Sequence, residues 1–338
     1  MDDGSEKTER KRERHEDVGD IELMTRLASL YYLDNLTQLE IAERVGLSRI
    51  KVVRLLKKAR NVGIVEIRLH TPAAMRASLE TALIQRFGLQ QTLLVADQTN
   101  EDNLRVLAAQ QTASHLDSQL RDGDTLAVGM GRNVGAVPDA VSKVTPRQCA
   151  FVTAIGGSPL VGQPVNSADI CRRLAERFGG RSECLYAPAY VESSQLRDAF
   201  LCHDEVRSVL ANACNAQFAL VGIGDAMDNS AVVRMGCFSA DDMTRLRKAG
   251  AVGDILGDFF DIQGRSVGTG MKERVISVNG DALRNIPCVI GIAAESEKTT
   301  ALLGALRTGI VDILVTSVGN ARRLLEMADA ETEMQTGG

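Results

Sequence analysis

No apolar run in the 338 residues approaches the roughly 18 needed to cross a bilayer as a helix, so no membrane role is expected. The N-terminus (MDDGSEKTERKRERHEDVGD) is a charged tract rather than a charged-then-apolar leader, which makes the cytoplasm the expected compartment. Paired cysteines are also missing. The seven present (Cys149, Cys171, Cys184, Cys202, Cys214, Cys237, Cys288) are odd in number and scattered, with no C-x-x-C. That spacing supports neither a disulfide framework nor a structural zinc site, and the thiols read as small buried apolar groups in a reducing compartment. The four histidines are not grouped with cysteines or carboxylates at ligand spacing, so neither a metal nor a cofactor is expected. The dinucleotide fingerprint G-x-G-x-x-G fails at Val134, and the P-loop pattern is absent.

What is present is ordinary in amount and unusual in placement. Apolar residues make up 44% and charged residues 25% of the chain, a soluble globular composition, and the length suggests two or three domains. Net charge is −5, which taken whole argues against a polyanionic partner. Between Arg44 and Arg68, however, stand eight Lys or Arg and one acid, a local +7 that leaves −12 for everything else. A basic island in an acidic chain is the footprint of a phosphate-binding surface, although a charge run by itself is usually a solvated helix face.

The local pattern decides between these. Residues 1–20 are too polar to bury a core and read as a disordered tail, with a basic cluster from Lys7 to Arg14. A helix is expected from about Ile21 to Leu33. Thr37 and Glu40 then form a T-x-x-E capping box that opens a second helix carrying Ile41, Ala42 and Val45. Gly46 breaks it, Leu47 is a turn residue, and Ser48 caps a third helix. There Val52, Leu55, Leu56 and Ala59 recur at helical spacing, and the opposite face shows Arg49, Ile50, Val53, Arg54 and Lys57. Two short helices joined by a glycine turn, the second amphipathic with a basic outer face, form the helix-turn-helix pattern that enters the DNA major groove. The expected DNA-contacting set is Thr37, Gln38, Ser48, Arg49, Ile50, Lys51, Val53, Arg54 and Lys57. Arg49 and Arg54 suit guanine edges or nearby phosphates, Ile50 and Val53 apolar base contacts, and Lys51 and Lys57 phosphates. Gly63 ends the helix, and the alternation Val65, Ile67, Leu69 against Glu66, Arg68, His70 predicts a short wing strand.

Thr71-Pro72 marks the expected linker, dividing a reader over 21–70 from a larger domain over 71–330. A helix from about Met75 to Phe87 follows. Beyond it the runs QTLLVA, DTLAVGMG, CAFVTAIGG, FALVGIGD, PCVIGIAA and DILVTS alternate with helical stretches near Asn103–Arg121, Ala168–Phe178, Glu205–Asn215 and Glu297–Arg307. Near-continuous apolar strands alternating with amphipathic helices predict an α/β fold whose mainly parallel, Rossmann-like sheet is covered on both faces.

Several strands end in glycine: Gly129-Met130-Gly131-Arg132-Asn133, Ile155-Gly156-Gly157-Ser158 and Gly222-Ile223-Gly224-Asp225. Ligands bind beyond the carboxyl ends of such strands, where glycines let backbone N–H groups approach an anion. Tight-turn geometry is the plainer explanation of any one pair. The expected small-molecule set is Gly129, Gly131, Arg132, Asn133, Gly156, Gly157, Ser158, Gly224, Asp225, Asp228, Asp254 and Lys298. Arg132 favours an anion such as phosphate, the aspartates suit hydroxyls, and Lys298 is placed to reach a phosphate or other oxygen. Asp254 lies inside the apolar run AVGDILGDFF, where an idle carboxylate is costly.

The chain resembles the SorC family of bacterial sugar-responsive regulators. The resemblance rests on TQLEIAERVGLSRIKVVRLLKKARNVGIVEI and continues through VGMGRN, FVTAIGG, APAYV, ALVGIGD, AVGDILGDFFD, RVISVNGDALRNIP, GIAAESEKTTALLGALRTG and DILVTS, over essentially residues 21–328. It implies a winged helix-turn-helix and an effector domain with the fold of sugar-phosphate isomerases and glucosamine-phosphate deaminases. It also implies tetramers on palindromic operators and a phosphorylated sugar or polyol effector; a homo-oligomer, dimer to tetramer, is expected. Arg132 matches the family's G-x-G-R arginine, Asp254 the acid of GD-x-L-x-x-FFD, and Lys298 the lysine of GG-x-x-K. Four positions depart from the family: Val53 stands for a common serine, Ala294-Glu295 replace the two glycines, and Asp258 replaces a frequent arginine.

Three functions compete. The first is a metabolite-gated regulator. The second is a sugar-phosphate isomerase or deaminase with a DNA-binding appendage. Enzymes of that fold carry Asp-Gly-His after GIG, whereas this chain reads Asp225-Ala226-Met227-Asp228, and His115 and His203 fall on expected helices away from the strand ends. The third is a structural DNA binder, which leaves the large glycine-ended domain without a purpose. The first is the expectation.

Overall fold

A computed structural model describes residues 21–65, 73–142, 144–158 and 165–336. The chain divides into two compact units, Met1–Arg68 and Leu69–Gly338. Among the described residues no helix is long and apolar enough to cross a membrane.

In the first unit α1 spans 21–32, α2 spans Gln38–Val45 and α3 spans Arg49–Asn61. The Thr37 and Glu40 side chains exchange reciprocal bonds with each other's backbone N–H, completing the capping box that starts α2. Gly46 ends α2 at φ 70°, a left-handed conformation that glycine adopts without steric penalty. Ser48 then accepts from the Lys51 N–H and starts α3. Val52, Leu55, Leu56 and Ala59 are buried against Met24, Leu27, Leu30, Ile41 and Ala42, so α3 is held by one stripe while its other face is free of the core. The predicted wing, beyond Val65, and the linker Thr71-Pro72 lie outside the described residues, as does the N-terminal tail.

The second unit opens with α4 (Ala73–Phe87), ended by Gly88 at φ 71°. Its main sheet comprises β1 (Gln91–Val95), β2 (Thr125–Val128), β3 (Ala150–Thr153), β4 (Arg181–Glu183), β5 (Phe218–Gly222), β9 (Cys288–Ile292) and β10 (Ile313–Ser317). Every pairing is parallel, in the order β1-β10-β9-β5-β2-β3-β4. Helices α5 (Glu101–Gln119), α6 (Arg132–Ala140) and α7 (Ser167–Phe178) bury Leu116, Val137 and Leu174 in one core cluster. Leu83 of α4, Ala213 of α9 (Asp204–Cys214), Leu302 of α13 (Thr299–Arg307) and Leu324 of α14 (Val318–Thr336) share a second. Strands β3, β9 and β10 between them are buried throughout, which explains their unbroken apolar runs. The remaining helices are α8 (Ser194–Leu201), α10 (Ala231–Arg234), α11 (Ala240–Lys248) and α12 (Gly280–Leu283).

The chain runs outward from β2 through β3 to β4, then returns to β5 and runs the other way through β9 to β10. The strand order therefore reverses between β2 and β5, the place where an open α/β sheet leaves a crevice at its carboxyl edge.

One element is not parallel. The run AVGDILGDFF forms a hairpin of β7 (Ala251–Ile255) and β8 (Asp258–Asp261), joined antiparallel to the short β6 (Gly224–Asp225). Its two-residue turn has Leu256 at φ 52° and Gly257 at φ 81°, the sense of twist that two-residue hairpins favour. Left-handed backbone at a leucine costs roughly 1–2 kcal/mol and persists where the surroundings enforce it. Here the Ser277 hydroxyl donates to the Leu256 carbonyl.

Candidate functional site

The first unit presents its basic side chains outward. Arg49, Lys51, Arg54 and Lys57 of α3 are exposed, and so are two apolar residues between them, Ile50 at 82% and Val53 at 42%. An isoleucine that exposed is unspent apolar surface beside these four cations. Thr37 and Ser48, both predicted to meet DNA, use their hydroxyls in helix caps. Gln38, in the first turn of α2, is half-buried.

In the second unit a cavity lies at the strand-order reversal. Its walls come from Met130 to Asn133 after β2, Gly222 to Gly224 after β5, and Lys298 after β9, closed by Tyr190, Asp254 and Leu256. The free volume is about 50 Å³, room for only a few waters, so a sugar-sized ligand must move a wall. Val232 and Met235, in and just after the four-residue α10, form one such wall.

The polar atoms facing this space are distinctive. Three buried side-chain atoms that line it lack any hydrogen-bond partner: Asp254 Oδ1, Tyr190 Oη and Asn133 Oδ1. An unpartnered buried polar atom costs about 1–3 kcal/mol, and three around one cavity are readily explained by a ligand that supplies their partners. The other Asp254 oxygen accepts from the Gly257 N–H at 3.0 Å. Burial is the main cause that lifts the Asp254 pKa to about 6, with Asp225 adding to it, against the Gly257 N–H and the charge of Lys298. The Tyr190 phenol is pushed well above its usual range by burial and then by the nearby Asp254.

Two glycines make room for these groups. A Cβ on Gly224 would stand 1.9 Å from Asp254 Oδ1, and one on Gly257 would stand 2.5 Å from Tyr190 Oη. We expect Gly224→Ala to expel the carboxylate from its place, costing about 1–3 kcal/mol as overpacking does. Chemical denaturation will register the loss, and an unchanged unfolding midpoint would refute this role for Gly224.

The cavity thus brings together Gly131, Arg132, Asn133, Gly224, Asp254 and Lys298 from the predicted set. It does not bring in the others. Gly129 packs beneath Leu256, and Gly156 is needed because the backbone of Pro188 passes where a Cβ would be. Gly157 bridges to the same segment, and the buried Ser158 donates to the Met235 carbonyl. Asp225 accepts from the Met227 N–H in a turn, and the exposed Asp228 pairs with Arg247 at 2.7 Å. Lys298 lines the cavity, but it is buried, donates to the Ile223 carbonyl at 2.9 Å and lies 3.8 Å from Glu295. His115 sits within α5 and His203 caps α9, and neither lines the cavity. Tyr190 and Gly257 were missed. The APAYV run was the available signal for Tyr190, but nothing local says that its hydroxyl is left without a partner.

A family model described as "Putative sugar-binding domain" matches residues 72–326. The chain belongs to the SorC family of sugar-binding transcriptional regulators. It is 32% identical over 313 residues to the transcriptional regulator LsrR of Klebsiella pneumoniae, covering 91% of this chain and 94% of that protein. Among solved structures, the sugar-binding domain of a transcriptional repressor from Vibrio fischeri is 44% identical with a TM-score of 0.71, covering 75% of this chain and 99% of that one. The full-length sorbitol operon regulator SorC of Klebsiella pneumoniae is 29% identical with a TM-score of 0.72, covering 90% and 99%.

Proposed function

We propose that this protein is a DNA-binding transcription regulator of a sugar or polyol operon, gated by a small carbohydrate-type effector in the β2/β5 cavity. The observation that carries the reading is the set of unpartnered buried polar atoms around a cavity at the strand-order reversal. It lies in a chain whose other unit exposes Arg49, Lys51, Arg54 and Lys57 beside the apolar Ile50 and Val53 on one capped helix. Arg49 and Arg54 read base edges or adjacent phosphates, Ile50 and Val53 touch bases, and Lys51 and Lys57 hold phosphates. One recognition helix reads one half-site, so the working form is a symmetric oligomer on a palindromic site. Effector binding changes how copies are arranged, and a nearly complete switch requires about 5.5 kcal/mol of differential affinity between the two arrangements. The cell compartment is the cytoplasm, where operator and metabolite meet.

The enzyme reading is weaker, because the cavity holds a buried carboxylate and a phenol but no histidine to pair with them as acid and base. The test is titration of the full-length protein against duplex DNA from upstream of its own gene across a salt series, with and without sugars and polyols. Saturable, sequence-selective binding with a steep salt slope that one compound alters is the expected result. A protein that ignores this DNA at low ionic strength under every condition is not such a regulator.

A further inference from the structure

The donors around the end of β9 converge on a single group of the protein itself. Asn133 Nδ2 donates to both Glu295 oxygens, at 3.1 and 2.9 Å. Arg105 Nη2 reaches the same carboxylate at 3.3 Å, and Lys298 Nζ stands 3.8 Å from it. Glu295 is 3% exposed, so these contacts are made away from water. Burial alone would raise its pKa. Lys298, the Asn133 amide and Arg105 together outweigh that and bring it down to about 2, which keeps it ionised at any physiological pH. Asn133 and Lys298 are cavity-lining residues: the Asn133 amide donates to this internal anion, and Lys298 donates to the Ile223 carbonyl while its charge faces the same carboxylate.

Arg132 apart, what the cavity offers a ligand is therefore acceptor-rich. Asp254 Oδ1 and Asn133 Oδ1 can only accept, and Tyr190 Oη can donate or accept. A hydroxyl satisfies such atoms because it carries a proton to give and lone pairs to receive. A phosphate brings acceptor oxygens and negative charge, toward two carboxylates. Arg132 lines the cavity and lies in no ion pair among the described residues; Arg234 is near it, with Asp225, Glu101 and Glu295 supplying acidic charge around Arg234.

Building on the carbohydrate reading above, we infer that Glu295 is a resident counter-anion. It makes this site select an uncharged polyhydroxy ligand, a free sugar or polyol, over its phosphate ester. The phosphate expected from the sequence thus gives way to a carboxylate that the chain carries at the position next to Ala294.

The test is thermal unfolding of the full-length wild type, Glu295→Gln and Glu295→Gly in sodium phosphate against sodium chloride at matched ionic strength. A second arm adds three- to six-carbon polyols and sugars to the wild type, beside their monophosphate esters. The wild type should not respond to phosphate beyond its response to chloride. The variants, with Arg105, Lys298 and the Asn133 amide released, should begin at lower Tm and rise by about 5–10 °C once phosphate is a hundredfold above its Kd. Should the glycine variant not fold, the isosteric glutamine variant carries this arm, and the wild-type arm needs neither. Phosphate-specific stabilisation of the wild type, variants indifferent to phosphate, or a phosphate ester outperforming its parent polyol would each overturn the inference. If no carbohydrate of either kind moves the wild type while phosphate rescues the variants, the effector reading fails and the counter-anion role of Glu295 stands.

Discussion

Asp254→Asn is expected to make the protein more stable at pH 7 and deaf to its effector. The Asp254 carboxyl is buried, has one unpartnered oxygen, and titrates near 6 in place of 3.8. Between those two values the folded protein holds a proton that the unfolded chain has released. Stability contributed by this group therefore falls as pH rises through that window, and above it the native state carries the full cost of a buried charge. Two pH units correspond to about 3 kcal/mol, so the amide, which can still accept from the Gly257 N–H, should recover about 1–3 kcal/mol at pH 7. The gain should shrink toward pH 4, where the wild type is protonated too. Denaturant unfolding at both pH values measures it. The same carboxylate accepts a ligand hydroxyl in our reading, so wild-type effector affinity should weaken below pH 6 and the variant should show little at any pH. A destabilised variant that still answers the effector would contradict both roles.

Arg49→Ala should remove most sequence-specific DNA affinity and leave the thermal response to effector intact. Arg49 is the first residue of α3, fully outside the core stripe, and its neighbours Ile50 and Val53 are exposed beside it. Loss of an arginine that contacts guanine typically costs about 1–3 kcal/mol, or roughly 5- to 150-fold in affinity, with discrimination relaxed at that base pair. Lys51→Ala makes the informative contrast: with one phosphate no longer neutralised, binding to all sequences should weaken alike and the salt slope should fall by about one. Fluorescence anisotropy on cognate and scrambled duplexes separates the two. Equal loss of DNA binding and effector response in Arg49→Ala would mean that the two units do not work as separate modules.

The reader was legible because its determinants are local. The capping box spans four residues, the α3 stripe repeats within a helical turn, and Gly46 fixes the turn by its own backbone freedom. The central parallel strands were legible for a related reason, since burial on both faces writes an unbroken apolar run into them. The β7–β8 hairpin was hidden in one such run because its turn uses Leu256-Gly257, without the Asn-Gly or Asp-Gly that marks a two-residue turn. The polar edge strand β4 gave no periodic signal at all.

By itself, then, the sequence determined the locally encoded elements: the capped helices of the reader, the buried parallel strands, and where positive charge gathers. Only the tertiary structure decided that β5 lies beside β2, that Asp254 and Tyr190 face one cavity, and that Glu295 joins Arg105 from 190 residues away and Asn133 from 162. Caps and stripes are settled by neighbours within a turn or two, whereas strand order and charge compensation depend on which distant segments come to share the same water-free space.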